Sequence, residues 1–254
     1  MRLTVLGSGS TIPHPTRSSS AYWLETSSGS ILLDCAASAP MRMAHEGLDW
    51  PNLDAVWISH FHMDHCGGIG PLLAGTRHAP QMQGRTKPLK FFGAKGLKAL
   101  VGRVIDVNKY RLFEQPFPVE IIEIESLEKF EIVSGIEAIA MSTPHTAESH
   151  AIHIRDGKTT MVYSADTAFS EPLAAFASRV DMFILECTFI KDKPARKHLE
   201  LAEAISLIRT ASPTRAMLTH FYPEWDDVDF ESEIAKHDPP GEVIEAKDGL
   251  GIEI

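Results

Sequence analysis

Four metal-binding side chains fall within six positions in His60-Phe61-His62-Met63-Asp64-His65. Imidazole nitrogens and a carboxylate oxygen at this density suit zinc, with manganese or iron as further choices. In an extended turn the two-residue spacing points His60 and His62 the same way. Asp64 and His65 follow one bend later, where Gly67 and Gly68 allow a helix to start. A second metal needs more ligands. His145, Asp166 and His220 are each the first strongly coordinating side chain after an apolar run. Singly, each reads equally well as a residue that ends a strand. With the turn at His60 they make up the seven ligands of a two-metal site.

The elements that must hold these residues follow from hydrophobic patterning. Short strands are expected at 3–6, 21–26, 31–35 and 54–59, the last running straight into the histidine turn. Others are expected at 89–93, 119–124, 136–142, 151–155, 160–164, 182–186 and 216–219. The last two are apolar throughout, as buried strands are. A helix is expected from Ser38, with Pro40 in its first turn and Gly47 at its end. Leu201, Ala204, Ile205 and Ile208 repeat at helical spacing and predict another. Hairpins first, then strands interleaved with helices, imply two mixed sheets under outer helices. No linker or repeat divides the chain, so one domain over 1–254 is expected.

The motif His60 to His65, with His145, Asp166 and His220 in that order, resembles the metallo-β-lactamase-fold hydrolases. The resemblance implies an α+β fold, a four-layer αββα sandwich. It implies one metal on His60, His62 and His145, a second on Asp64, His65 and His220, and Asp166 bridging them. The family's nucleophile is a hydroxide between the two metals, which Asp64 helps to orient. The opening Leu6-Gly7-Ser8-Gly9-Ser10-Thr11-Ile12-Pro13, Leu32-Leu33-Asp34-Cys35 and Leu218-Thr219-His220-Phe221 are similar to the branch containing ribonuclease Z and related phosphodiesterases. There Asp34 would support a ligand histidine. His198 in Lys197-His198-Leu199, expected to open the helix before the last strand, would protonate the leaving oxygen, with Glu186 to orient it.

Two departures argue against tRNA as the substrate. Only 21 positions separate His145 from Asp166, room for a strand pair turning at Gly157 but not for the basic arm of ribonuclease Z. Glu224 also stands where the tRNA enzymes favour a Ser-x-Arg-Tyr-like segment. The expected function is therefore a dinuclear metal phosphodiesterase acting on a small phosphodiester or cyclic phosphate. The alternatives are tRNA 3′-end cleavage, hydrolysis of a lactone, carboxylic ester or sulfate ester, and a non-catalytic metal-binding module.

Charge agrees with a small anionic substrate. The chain has 254 residues and a formal net charge of −10, which disfavours a nucleic-acid coat. Yet nine Lys and Arg stand against one acid between Arg77 and Arg111. The loop from His78 to Arg85 is expected to overhang the metal site, with Arg85 facing substrate. Three cysteines, an odd count, suit a cytoplasmic protein. The N-terminal apolar stretch is too short for a signal peptide, and no run suits a membrane span. Beyond the substrate, the partner considered is a second copy of the chain as a homodimer.

Overall fold

The computed structural model describes residues 1–106 and 114–254. Two seven-stranded mixed sheets face one another. The first holds β1 (Arg2–Gly7), β2 (Ala21–Glu25), β3 (Ser30–Leu33), β4 (Ala55–Ile58), β5 (Leu89–Ala94) and β6 (Val119–Ile124) in chain order, with β14 (Gly251–Glu253) beside β1. The second holds β7 (Lys129–Val133), β8 (Ile136–Ser142), β9 (His150–Asp156), β10 (Thr159–Tyr163), β11 (Met182–Glu186), β12 (Arg215–Thr219) and β13 (Glu242–Glu245), also in chain order.

The helices are α1 (Ala39–His45), α2 (Met63–Cys66), α3 (Ile69–His78), α4 (Leu97–Asp106), α5 (Glu171–Phe176), α6 (Leu201–Ala211) and α7 (Phe230–Ala235). Strand alternation sorts side chains between the layers. Tyr22, Leu24, Ala55 and Trp57 join the core shared with the second sheet, while Ala21, Trp23, Val56 and Ile58 pack with Met43, Leu72, Leu73 and Leu97 of the outer helices. Trp57 stacks on Phe130, and Tyr22 meets Tyr163, across the sheet interface. This is the expected αββα sandwich. No helix among the described residues is long and apolar enough to cross a membrane.

Each sheet begins with antiparallel pairs and ends with parallel ones: β3 through β6 are parallel, as are β10 through β13. Parallel neighbours need crossover connections, so the carboxyl ends of adjacent strands share one edge. That edge receives Asp34 after β3, His60 after β4, Asp166 after β10, Glu186 at the end of β11 and His220 after β12. β8 runs in the same direction as β10, through antiparallel β9, so His145 arrives there too.

Three strands were not expected. β7 alternates apolar and charged residues at a sheet edge, and β13 and β14 are short and rich in acids. They follow from pairing with β8, β12 and β1. The helix expected to open at His198 starts later. Glu200 caps α6 in a capping box with Glu203, which leaves His198 in the preceding loop.

Candidate metal centre

The turn after β4 is built by close backbone approach. Gly68 lies so near the exit of β3 that a Cβ would come 2.2 Å from the Ala36 carbonyl oxygen. Its amide donates to the Cys35 carbonyl, and the Cys35 amide donates to the carbonyl of His65. Three side-chain-bearing residues at the same edge adopt left-handed backbone: Asp34 (φ 58°), Ala165 (φ 53°) and His220 (φ 63°). Each such residue costs about 1–3 kcal/mol and persists where the surroundings fix it. Here the strain falls where a ligand or its support must turn into the cleft.

The structure brings all seven expected ligands together. The carboxylate of Asp166 lies at the centre, with a different set of imidazoles on each oxygen. Its Oδ2 is 3.7 Å from His60 Nε2 and 3.6 Å from His145 Nε2. His62 Nδ1 is 3.2 Å from His145 Nε2. Its Oδ1 is 3.3 Å from His65 Nε2 and 3.4 Å from His220 Nε2. Asp64 Oδ2 completes that second group, 3.5 Å from His220 Nε2.

These residues fit a pair of cations. The buried atoms His60 Nε2, His65 Nε2, His220 Nε2 and Asp166 Oδ2 have no hydrogen-bond partner among the described residues. Four orphaned buried groups would be costly unless a cation satisfies them. Their donor set, imidazole with carboxylate, suits a borderline divalent metal.

The outward nitrogens are held in turn. Asp34 accepts from four donors: His65 Nδ1 at 2.6 Å, the Ser59 amide and hydroxyl at 2.8 Å each, and Tyr163 Oη at 2.7 Å. His220 Nδ1 meets the Thr188 hydroxyl at 2.9 Å, and that hydroxyl meets Glu186 Oε2 at 2.7 Å. His145 Nδ1 donates to the Lys197 carbonyl at 2.9 Å. Such partners fix ring orientation and tautomer.

Charge is distributed unevenly. Burial, helped by the charge of His65, lowers His60 to about 2. His65 goes the other way: burial opposes it, but the carboxylates of Asp166 and Asp34 raise it well above the usual histidine range. Burial also opposes the ionised form of Asp64, yet the close approach of His220 at 3.5 Å and the charge of His65 hold it at about 2. Asp166 lies well below the carboxylate range; the charges of His220 and His65 overcome its burial.

His198 joins the cluster from the loop before α6. Its Nδ1 is 3.0 Å from Glu186 Oε1 and its ring stacks on His220 at 5.4 Å. Burial lowers its pKa, and the hydrogen bond and charge of Glu186 more than restore it. Glu186 itself is fixed by the amides of Thr167 and Leu199 at 2.8 and 3.1 Å.

Arg85 is placed elsewhere, and the expectation that it overhangs the site does not hold. Its guanidinium donates to the carbonyls of Pro51, Leu53, Lys87 and Pro88 and lies 5.0 Å over the Phe117 ring. The reason is topological. β5 is parallel to β4, so the chain must return to the starting edge before β5 begins, at the opposite end from His60. Lys109 and Arg111 of the basic stretch lie outside the described residues. Other cations stand in the loop that ends in His198. Among the described residues, Lys191, Arg196 and Lys197 are exposed and have no ion-pair partner there. Their signal in the sequence was only proximity to His198. Thr188 and Tyr163 also went unread, because each acts through another residue.

Comparison with known proteins sets this geometry in a family. A family model described as "Anti-Pycsar protein Apyc1" matches residues 1–237. The chain belongs to that family. It is 28% identical over 255 residues to the probable metallo-hydrolase YhfI of Bacillus subtilis (strain 168), covering 98% of both chains. It is 26% identical over 278 residues to ribonuclease Z of Shouchella clausii (strain KSM-K16), covering 87% of this chain and 86% of that one. The crystal structure of Bacillus subtilis YhfI superposes with a TM-score of 0.80 at 24% identity over 99% of both chains. That of the short form of human tRNase Z gives 0.79 at 20% identity, over 100% of this chain and 99% of the other. The chain is a metal-dependent hydrolase of the metallo-β-lactamase fold, related to YhfI and ribonuclease Z and lacking a long arm between His145 and Asp166.

Proposed function

We propose that this member of the Apyc1 family is a dinuclear metal phosphodiesterase acting on a small phosphodiester or cyclic phosphate, one hydrolase domain working in the cytoplasm. The observation that carries the reading is His198: an imidazole held by Glu186 at 3.0 Å, beside two ligand groups that share Asp166. Two divalent cations, zinc first and manganese or iron as substitutes, would supply charge to the phosphoryl oxygens and acidify water for attack. His60, His62 and His145 would hold one, Asp64, His65 and His220 would hold the other, and Asp166 would serve both. Asp64 would orient water for attack. His198 gives its Nε2 proton to the departing oxygen, while Glu186 holds Nδ1 and fixes the direction of the ring. An alkoxide needs that proton, whereas the phosphodiester of an acidic phenol does not.

The experiment follows from that difference. His198→Ala should lose about 10²–10⁴-fold in turnover on an alkyl phosphodiester and far less on a p-nitrophenyl ester, with metal content kept. Equal losses on both would remove the assigned role. Protein stripped of metal should hydrolyse neither.

Ribonuclease Z relatives make tRNA the second reading. The segment between His145 and Asp166 contains only the β9–β10 hairpin, which leaves no element there to grip a large RNA. A precursor-tRNA cleavage assay separates the two, and lactone and aryl sulfate substrates test the other ester classes.

A further inference from the structure

Both groups of candidate ligands straddle the interface between the sheets. His60, His62, Asp64 and His65 follow β4 of the first sheet, whereas His145, Asp166 and His220 follow β8, β10 and β12 of the second. A cation held by either group would therefore bond to both sheets at once. Metal–ligand distances vary by only about 0.2 Å. The interface beneath is mostly apolar, and apolar contact is non-directional. Contact of that kind does not by itself fix the spacing of the sheets to such a tolerance.

Two buried tyrosines cross the interface in opposite directions. Tyr22, on β2 of the first sheet, shares a hydrogen bond of 2.6 Å with the hydroxyl of Thr219, the last residue of β12 and the neighbour of His220. Tyr163, the last residue of β10 in the second sheet, donates at 2.7 Å to Asp34, the carboxylate that holds His65. The two rings meet at 5.1 Å, tilted by 55°. All four residues are buried. Burial raises both phenols well above the usual tyrosine range, so each stays a neutral hydroxyl. One hydroxyl thus ends beside His220 and the other acts on His65, in the same ligand group. Beside His60 the sheets are joined through backbone instead, the His150 amide donating to the Ser59 carbonyl at 3.0 Å.

We propose that Tyr22 and Tyr163 are positioning residues, a reciprocal pair of struts that fixes the separation of the sheets at the metal cluster. Through that separation they set the fit of the Asp64, His65 and His220 group to its cation. The proposal rests on the dinuclear reading of the cluster. Asp34 and Thr188 hold individual rings; the tyrosines hold the two halves of the site against each other.

Tyr22→Phe, Tyr163→Phe and the double variant test it on zinc-loaded full-length protein, because each keeps the ring and removes only the hydroxyl. In competition with a fluorescent chelator, the step that Asp64→Ala removes should weaken about tenfold in each single variant and up to about 100-fold in the double, with the other step moving less. X-ray absorption at the zinc edge should show the zinc–zinc signal of wild-type protein broadened in the double variant. Asp156→Ala supplies the comparison. It cuts the bonds from the Ser27 amide and hydroxyl, 2.7 and 2.6 Å long, that join the same two sheets at the end opposite the cluster. It should lower the unfolding midpoint without moving either zinc step. Should Tyr163→Phe fail to fold, Tyr22→Phe decides alone. Tyrosine variants that keep wild-type zinc affinity and the wild-type zinc–zinc signal would overturn the proposal while the metal reading stands. Equal weakening of zinc in Asp156→Ala would overturn it too, since stability alone would then account for the effect. Wild-type protein that holds fewer than two zinc ions would overturn the dinuclear reading itself.

Discussion

The two groups of side chains around Asp166 that could each hold a cation are equal in number but not in support. In the group of Asp64, His65 and His220, each histidine's second nitrogen meets a buried side chain that is itself held, Asp34 for His65 and Thr188 with Glu186 for His220. In the group of His60, His62 and His145, His60 alone has comparable support, from the buried Ser59 hydroxyl at 3.1 Å that Asp34 holds, whereas His145 meets a loop carbonyl and His62 is exposed. One group is built into the sheet edges, and the other is completed by a turn and a loop. Support of the outer nitrogen sets how firmly a ring is presented. The Asp64, His65 and His220 group should therefore hold its cation more tightly, and chelation should empty the other first.

The largest effect comes from removing what the groups share. Asp166→Ala should lower zinc from two per chain to one or none and cut turnover by about 10³-fold or more, the scale of several kcal/mol of charge stabilisation. Elemental analysis beside an initial-rate assay reads both. Retention of two zinc ions would break the idea that Asp166 joins the sites.

Next is the contrast between His65→Ala and His62→Ala. His65 is fully buried and linked to Asp34, so its truncation leaves an under-paired carboxylate and a cavity. About 2–4 kcal/mol of stability should be lost in the metal-free protein. His62 is exposed, and its loss should change stability by less than about 0.5 kcal/mol while still emptying one site. Denaturant unfolding with and without chelator checks both, and equal destabilisation would erase the contrast.

Asp34→Asn keeps the shape of the side chain and weakens its hold on His65. Affinity at the Asp64, His65 and His220 group should fall about 10–100-fold, with the other group little affected. Competition with a fluorescent chelator resolves two steps, and movement of the weaker step alone would reverse the ranking.

The smallest catalytic effect is expected far from both groups. Arg85→Ala gives up four bonds to carbonyls and should cost about 1–3 kcal/mol of stability, with KM for the diester unchanged. A raised KM would restore Arg85 to a role at the site.

The two groups are equally legible in the chain. His60 and His62, like Asp64 and His65, belong to one local motif, and local spacing survives folding. His145, Asp166 and His220 could be read only because each ends an apolar strand, and strand direction then carries them to one edge. Asp34 was visible only through the resemblance of Leu32-Leu33-Asp34-Cys35 to the family's second strand. Its donor Tyr163, and Thr188 beneath His220, carry no signal of their own, since a buried hydroxyl looks like any core-facing polar residue. Arg85 shows the converse error. A run of positive charge says nothing about which end of a parallel crossover it occupies. His198 was found through its similarity to an element of the related phosphodiesterases but put on the helix, because α6 is capped two residues later, at Glu200.

The most direct test is the zinc content of wild-type protein reconstituted with excess zinc and freed of loosely held metal. Two ions per chain are expected, leaving in two separate steps as chelator is added. A single equivalent released in one step, or none held, would contradict a pair of sites joined through Asp166.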